Sequence, residues 1–219
     1  MQHKSEYLDL RLCDNMQLMA QYPNKHFELA ICDPPYGIGA DKAQNGAAVK
    51  FGYKKYKNSD WDKSIPPKEY FSELFRVSKH QIIWGGNYMT EFLYPSMGWV
   101  VWDKCQRDFS LADGELAWTS FNKAMRIFEF SRGQSIVSNN IGLAKFHPTA
   151  KPIELYKWLL DKYAKAGDKI LDTHLGSGSI AIACHDYKYH LTACELDSDY
   201  FAAMQTRVEN HLKQTTILF

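Results

Sequence analysis

Asp33-Pro34-Pro35-Tyr36 sets a carboxylate, a carbonyl with no competing N–H and an aromatic ring side by side. It follows the apolar run Phe27–Cys32 and precedes Gly37 and Gly39. The carboxylate and the carbonyl accept hydrogen bonds from N–H groups, and the tyrosine offers a flat stacking face. The two prolines narrow the conformations of the turn, so these groups arrive pre-aimed. Such equipment suits a planar amine such as an adenine.

A second constellation is Leu171-Asp172-Thr173-His174-Leu175-Gly176-Ser177-Gly178-Ser179. Gly176 and Gly178 permit a tight turn between strand and helix and a close approach of ligand to backbone. Glu195 lies about 20 residues further on, where an acidic side chain grips a ribose diol. Together they read as a site for an adenosine-containing cofactor, either a dinucleotide or S-adenosylmethionine. His147 and His174 read as structural histidines, and no His/Cys/Asp cluster has metal-ligand spacing, so no metal is expected.

The positioning elements follow from hydrophobic periodicity. Tyr7–Cys13, Phe27–Cys32 and Gln81–Trp84 read as strands, as do the Trp-, Val- and Phe-rich runs Gly98–Trp102, Glu115–Thr119 and Met125–Phe130. Residues 16–22 read as one or two helical turns, and Pro67–Ser78 as a helix. Ser131–Phe146, with Gly133 and Gly142, reads as irregular. Pro152 is placed as the first residue of a helix that Gly167 stops. Lys169–Asp172 and His190–Cys194 are further strands, followed by the helices Ile180–Asp186 and Asp199–Lys213. Strands alternating with helices predict an α/β fold with a mixed, mostly parallel sheet of about seven strands and helices on both faces. Asp33 and the glycine turn would then share the carboxyl end of the sheet, where ligands bind in such folds.

With both constellations in view, the chain resembles the β-group, circularly permuted DNA amino-methyltransferases. Asp33–Tyr36 matches the family's (D/N/S)-P-P-(Y/F/W) motif in its DPPY form. Asp172–Gly178 matches D-x-F-x-G-x-G except that His174 replaces the usual Phe. His147-Pro148-Thr149-Ala150-Lys151-Pro152 resembles H-P-T-x-K-P, and Leu12-Cys13-Asp14 resembles the family's G-D segment. The target motif first and the donor motif last is the permuted order.

The resemblance implies a Rossmann-like S-adenosylmethionine-dependent methyltransferase fold and site-specific methylation of adenine N6 in DNA. Asp33, Pro34, Pro35 and Tyr36 would form the catalytic site around a flipped-out base. Asp14, Lys151, Asp172, His174, Gly176, Ser177, Gly178 and Glu195 would hold the donor, with Lys151 on its carboxylate and Asp172 on its amino group. Asp14 as a plain helix cap and Lys151 as a solvated first-turn lysine are the competing readings. Cytosine-N4 methylation of DNA and adenine-N6 methylation of RNA are the neighbouring activities. A non-catalytic nucleic-acid-binding partner of a methyltransferase is the alternative of another class. A homodimer and a cognate restriction nuclease stay open as partners; a membrane is not expected.

The loop at about 40–66 interleaves lysines with Phe51, Tyr53, Tyr56 and Trp61. Lys50, Lys54, Lys55 and Lys57 are its candidate phosphate contacts. Asp41, Asp60 and Asp62 dilute its charge. A short target-recognition segment is placed at about 121–146, with Arg132 as a further nucleic-acid contact. The formal net charge of +1 over 219 residues leaves any such contact to local patches. That length fits one catalytic domain, 1–219. A hydrophobic share of 45% and a charged share of 23% are ordinary for a soluble protein. Five cysteines without a C-x-x-C pair read as small buried hydrophobes. Met1–Glu6 lacks the apolar stretch of a signal peptide, which makes the cytoplasm the expected compartment.

Overall fold

Phe27–Cys32 is the central strand β3, and its residues are divided between two cores. Leu29 and Ile31 pack in one hydrophobic cluster, and Phe27, Ala30 and Cys32 in the other. Burial on both faces is why this strand is nearly continuously apolar. The computed structural model describes residues 1–40, 61–108, 112–139 and 150–216. Lys50, Lys54, Lys55 and Lys57, with His147-Pro148-Thr149, lie outside the described residues.

The remaining strands are β1 (Gln2–Lys4), β2 (Leu8–Leu12), β4 (Ser78–Trp84), β5 (Trp99–Asp103), β6 (Gly114–Thr119), β7 (Arg126–Glu129), β8 (Lys169–Asp172) and β9 (His190–Glu195). They form one sheet of nine strands in the order β1-β2-β9-β8-β3-β4-β6-β5-β7. The run β2-β9-β8-β3-β4 is parallel throughout. β1 pairs antiparallel with β2, and β6 antiparallel with both β4 and β5. The sheet is mixed and mostly parallel, as its sequence predicts, and wider than the expected count. The one strand that no sequence run announces is β1, a short, largely exposed edge strand with no hydrophobic pattern.

The helices are α1 (Asn15–Met19), α2 (Lys68–Val77), α3 (Arg132–Asn139), α4 (Ile153–Tyr163), α5 (Ser179–Asp186) and α6 (Ser198–Thr216). α1 and α2 pack on one face, with Leu18, Met19, Tyr70, Phe71, Leu74 and Val77 in the second cluster. α4, α5 and α6 cover the other, with Leu155, Leu159, Ile180, Phe201 and Met204 in the first. The spacing of Tyr70, Leu74 and Val77 is that of one helical stripe.

The structure corrects two local expectations. Residues 132–139 are helical rather than irregular. Ser131 Oγ accepts the Gln134 N–H at 3.2 Å, and Gln134 Oε1 accepts the Ser131 N–H at 3.0 Å. This reciprocal cap offsets the helix cost of Gly133. α4 begins after Pro152, which is its N-cap, and ends at Tyr163. Gly167 therefore shapes the following turn, at φ +87°, rather than stopping the helix.

β3 sends the chain onward to β4, whereas β8 sends it to β9 on the other side. The strand order thus switches between β8 and β3, and the crevice above that switch is where such sheets bind ligands.

Candidate active site

Asp33 directly follows the last residue of β3, and the loops after β2, β8 and β9 rise beside it. One cavity of about 730 Å3 runs across these strand ends. It is lined by Asp14, Asp33, Pro34, Pro35, Tyr36, Lys151, His174, Gly176, Ser177 and Glu195, among others. The permuted order in sequence becomes adjacency in space because β3 and β8 are neighbours.

Asp62 fixes the Asp33–Tyr36 turn. Its Oδ1 accepts the backbone N–H groups of Tyr36 at 2.7 Å and Gly37 at 2.8 Å, and its Oδ2 that of Ala40 at 2.7 Å. The residue is only 1% exposed. Sequence reading counts Asp62 merely as a charge diluting the lysines; its work is local. Gly85 completes the mounting. It sits at φ +68°, and a Cβ there would lie 2.2 Å from Tyr36 Cε1. The Tyr36 ring stacks on Tyr88, with centroids 5.3 Å apart at 19°.

Tyr36 donates its hydroxyl to Asp33 Oδ1 at 2.7 Å. The Lys151 ammonium lies 2.5 Å from Asp33 Oδ2, 3.1 Å from Glu115 Oε2 and 3.1 Å from the Tyr36 hydroxyl oxygen. Lys104 holds the other Glu115 oxygen at 2.7 Å. Burial raises the Asp33 carboxyl above the usual range, and the Lys151 charge only partly opposes it. Burial also acts on Glu115, but the charges of Lys151 and Lys104 overcome it and bring its pKa down to about 2. Lys151 is pushed down by burial and more than restored by Asp33 and Glu115, so it stays charged. The expected partner of Lys151 is a donor carboxylate; in this structure its ammonium is engaged by protein carboxylates.

The glycine loop is tied together by Glu195. Its Oε2 accepts the Gly176 N–H at 2.8 Å, and its Oε1 accepts those of Leu196 and Asp197, each at 2.9 Å. A carboxylate offers about four lone-pair sites, which leaves capacity for a ligand hydroxyl. Burial raises the Glu195 carboxyl, with the backbone N–H bonds opposing. Gly178, at φ +74°, does not line the cavity. A Cβ there would meet Met204 Cγ at 2.6 Å, so its role is the close packing of α6. Arg207 of α6 supports the same loop, donating to Ser177 O at 2.8 Å and Ser179 Oγ at 3.0 Å.

Asp172 is buried beneath the loop rather than lining the cavity, and its Oδ1 accepts the His174 N–H at 2.9 Å. Burial first, with the Asp33 and Glu195 charges, raises its carboxyl to about 8. His174 is pushed down to about 4 by burial and is neutral. Its ring nitrogens meet Thr173 Oγ1 at 2.9 Å and Asn15 Nδ2 at 3.2 Å. Asp14 caps α1, accepting the N–H groups of Met16 at 2.9 Å and Gln17 at 3.1 Å, and also faces the cavity. Arg132 is exposed and also lines the cavity, its backbone N–H donating to the Lys104 carbonyl at 3.3 Å. Asp62, Gly85, Tyr88, Lys104 and Glu115 are the cavity-building residues that motif reading misses. Only Gly85 carries a visible signal, as half of the Gly85-Gly86 pair that stops β4. Among the described residues no group of His, Cys, Asp and Glu is arranged to hold a metal ion, and no helix is long and apolar enough to cross a membrane.

The fold is that of a Rossmann-like methyltransferase. The N6/N4 DNA methylase family profile matches residues 83–206, more than half of the chain, and the chain belongs to that family. It is similar to the type II methyltransferase M.HpaI of Haemophilus parainfluenzae, 23% identical over 248 residues that cover 93% of this chain and 75% of that protein. Among solved structures, M1.HpyAVI in complex with SAM (S-adenosylmethionine) superposes with a TM-score of 0.57 at 18% identity, covering 91% of this chain and 99% of that one. The cytosine-N4-specific PvuII DNA methyltransferase gives 0.61 at 12% identity, covering 92% and 86%.

Proposed function

We propose that the chain transfers a methyl group from S-adenosylmethionine to N6 of an adenine flipped out of DNA. The observation that carries this reading is that the Asp33 carboxylate and the glycine loop with Glu195 line one cavity. The cavity fits the donor on its own chemistry. Glu195 keeps acceptor capacity beside Gly176, and Leu196, 72% exposed next to it, offers apolar cover. Asp14, Gly176, Ser177 and Glu195 would hold the donor, with Asp172, His174 and Gly178 supporting the loop from beneath. Bound there, S-adenosylmethionine supplies an electrophilic methyl on a sulfonium.

The chain's own residues act on the amine. An exocyclic amine is a weak nucleophile because its lone pair is delocalised into the ring. Asp33 Oδ and the Pro34 carbonyl accept its two N–H bonds and favour a pyramidal nitrogen with a localised lone pair. As the nitrogen gains the methyl it becomes cationic, and the Asp33 carboxylate stabilises that charge where it develops. The raised Asp33 pKa makes the same oxygen a suitable acceptor for the departing proton. Holding the reactants in register supplies a further share of the acceleration. Tyr36, backed by Tyr88, flanks the base.

The adenine assignment rests on the aspartate form of the motif, which the family resemblance associates with N6. The cytosine-N4 specificity of the PvuII enzyme keeps the second amine as the competing reading. Expression in a host without DNA methylation, followed by mass spectrometry of its DNA, tests both. N6-methyladenine is the expected product. N4-methylcytosine overturns the base assignment, and unmodified DNA overturns the activity on DNA. Lys50, Lys54, Lys55, Lys57 and Arg132 remain the proposed phosphate contacts.

A further inference from the structure

We propose that Glu115 is a positioning residue for methyl transfer: it shares the Lys151 ammonium with Asp33 and takes it over as the target amine enters, leaving Asp33 free to accept the amine. The inference rests on the amino-methyltransferase reading above and adds a residue outside its motifs.

The geometry states a conflict. Both oxygens of Asp33 carry a partner before any base arrives, Tyr36 on Oδ1 and Lys151 on Oδ2. A lysine has three N–H donors, and those of Lys151 have Asp33, Glu115 and the Tyr36 oxygen as acceptors. An amine that bonds to Oδ2 competes with the ammonium for that oxygen and draws the cation away from Asp33. The cation cannot be discarded into the cavity wall, since Lys151 is 3% exposed and a buried unpaired charge is costly. Glu115 Oε2 is already within reach at 3.1 Å. Lys104 anchors the other Glu115 oxygen and keeps the carboxylate aimed inward. Trp84, whose ring centroid lies 5.0 Å from the ammonium, supplies a further face on which the cation is tolerated.

The same arrangement sets the charge of Asp33, which must be ionised to accept an N–H bond. Lys151 favours the ionised form and Glu115 opposes it. Tyr36, Tyr156 of α4 and Asp172 of β8 are the other titratable groups that act on this cluster. The two variants Glu115→Gln and Lys151→Gln should therefore shift Asp33 in opposite directions.

The test measures single-turnover methyl transfer from radiolabelled S-adenosylmethionine to unmethylated genomic DNA across pH, together with carboxyl NMR titration of Asp33 in the free protein. Glu115→Gln should lower the plateau rate by about 10- to 100-fold, because Lys151 now stays on Asp33. Its acid limb should move to lower pH, and that of Lys151→Gln to higher pH, each by about one unit. Glu115→Asp, which keeps the charge, should recover part of the rate. A plateau lowered with no movement of either limb makes Glu115 merely structural and overturns the inference, as does a shift of both limbs in one direction. If Glu115→Gln does not fold, Glu115→Asp decides: its shorter carboxylate should lower the plateau rate, and a full wild-type rate overturns the inference. Wild-type protein that methylates no DNA overturns the function reading itself; active wild type with unmoved limbs overturns only the role of Glu115.

Discussion

Asp62 and Tyr36 are joined by a hydrogen bond of 2.7 Å from the tyrosine's backbone N–H to the aspartate's Oδ1, and through it a residue outside every motif fixes the Asp33–Tyr36 turn. The prolines of the turn supply no N–H of their own, so its orientation depends on the amides that follow them. Asp62→Ala should remove three acceptor contacts at once, cost about 1–3 kcal/mol of stability and lower the methylation rate by about 100-fold. Asp62→Asn keeps one acceptor oxygen and should fall between. Calorimetry should find donor affinity within a few-fold of wild type, since Glu195 and Gly176 are untouched. An unchanged rate would show that the turn holds itself.

The motifs and the order of the central elements are legible because they are local: a period of two, a proline pair, a glycine turn. What a single chain hides is partnership across distant strands. Glu115 is the second residue of β6 and reads as an ordinary acidic residue, and only the pairing of β6 with β4 and β5 brings it to Lys151 and Lys104. Gly133 reads as a breaker until Ser131 and Gln134 are seen to cap each other. Lys151 can be found by its motif, but its partner cannot, because choosing between a ligand carboxylate and Asp33 requires knowing where β3 ends relative to α4.

Gly85 tests whether ring placement limits the reaction. At φ +68° an alanine is strained, and its Cβ would overlap the Tyr36 ring at 2.2 Å. Backbone and ring must therefore move apart. Gly85→Ala should cost about 1–3 kcal/mol of stability and displace the Tyr36 hydroxyl from Asp33. The rate at saturating substrate should fall more than donor binding does. A crystal structure of the variant with Tyr36 unmoved and full activity would remove ring placement from the account.

Glu195 carries two burdens that one substitution separates poorly and two separate well. Glu195→Ala loses the proposed ribose contact and leaves the Gly176, Leu196 and Asp197 amides without their acceptor. Donor binding should weaken by about 1–3 kcal/mol and the melting temperature should fall. Glu195→Gln retains one carbonyl oxygen, enough for the Leu196 and Asp197 amides, but turns an N–H2 toward Gly176 or the ligand. Its melting temperature should lie nearer wild type while donor affinity stays low. Unchanged affinity in both variants would place the donor elsewhere.

His174 makes the stability pH-dependent on the acid side. Its folded pKa is about 4, set by burial, against an ordinary value of 6.5. A depressed folded pKa means that the unfolded chain binds the proton first. The neutral ring's contribution is complete above pH 6.5 and declines as pH falls toward 4, at about 1.4 kcal/mol per unit within that window. His174→Phe puts in the aromatic residue that the family motif usually has there. It abolishes this titration but gives up the contacts with Thr173 and Asn15. At pH 7.5 the variant should be equal to or slightly less stable than wild type, and near pH 4.5 it should be more stable. Chemical denaturation at both values measures the crossing. Parallel stability curves for the two proteins between these pH values would mean that His174 titrates in the folded protein as it does in the unfolded chain.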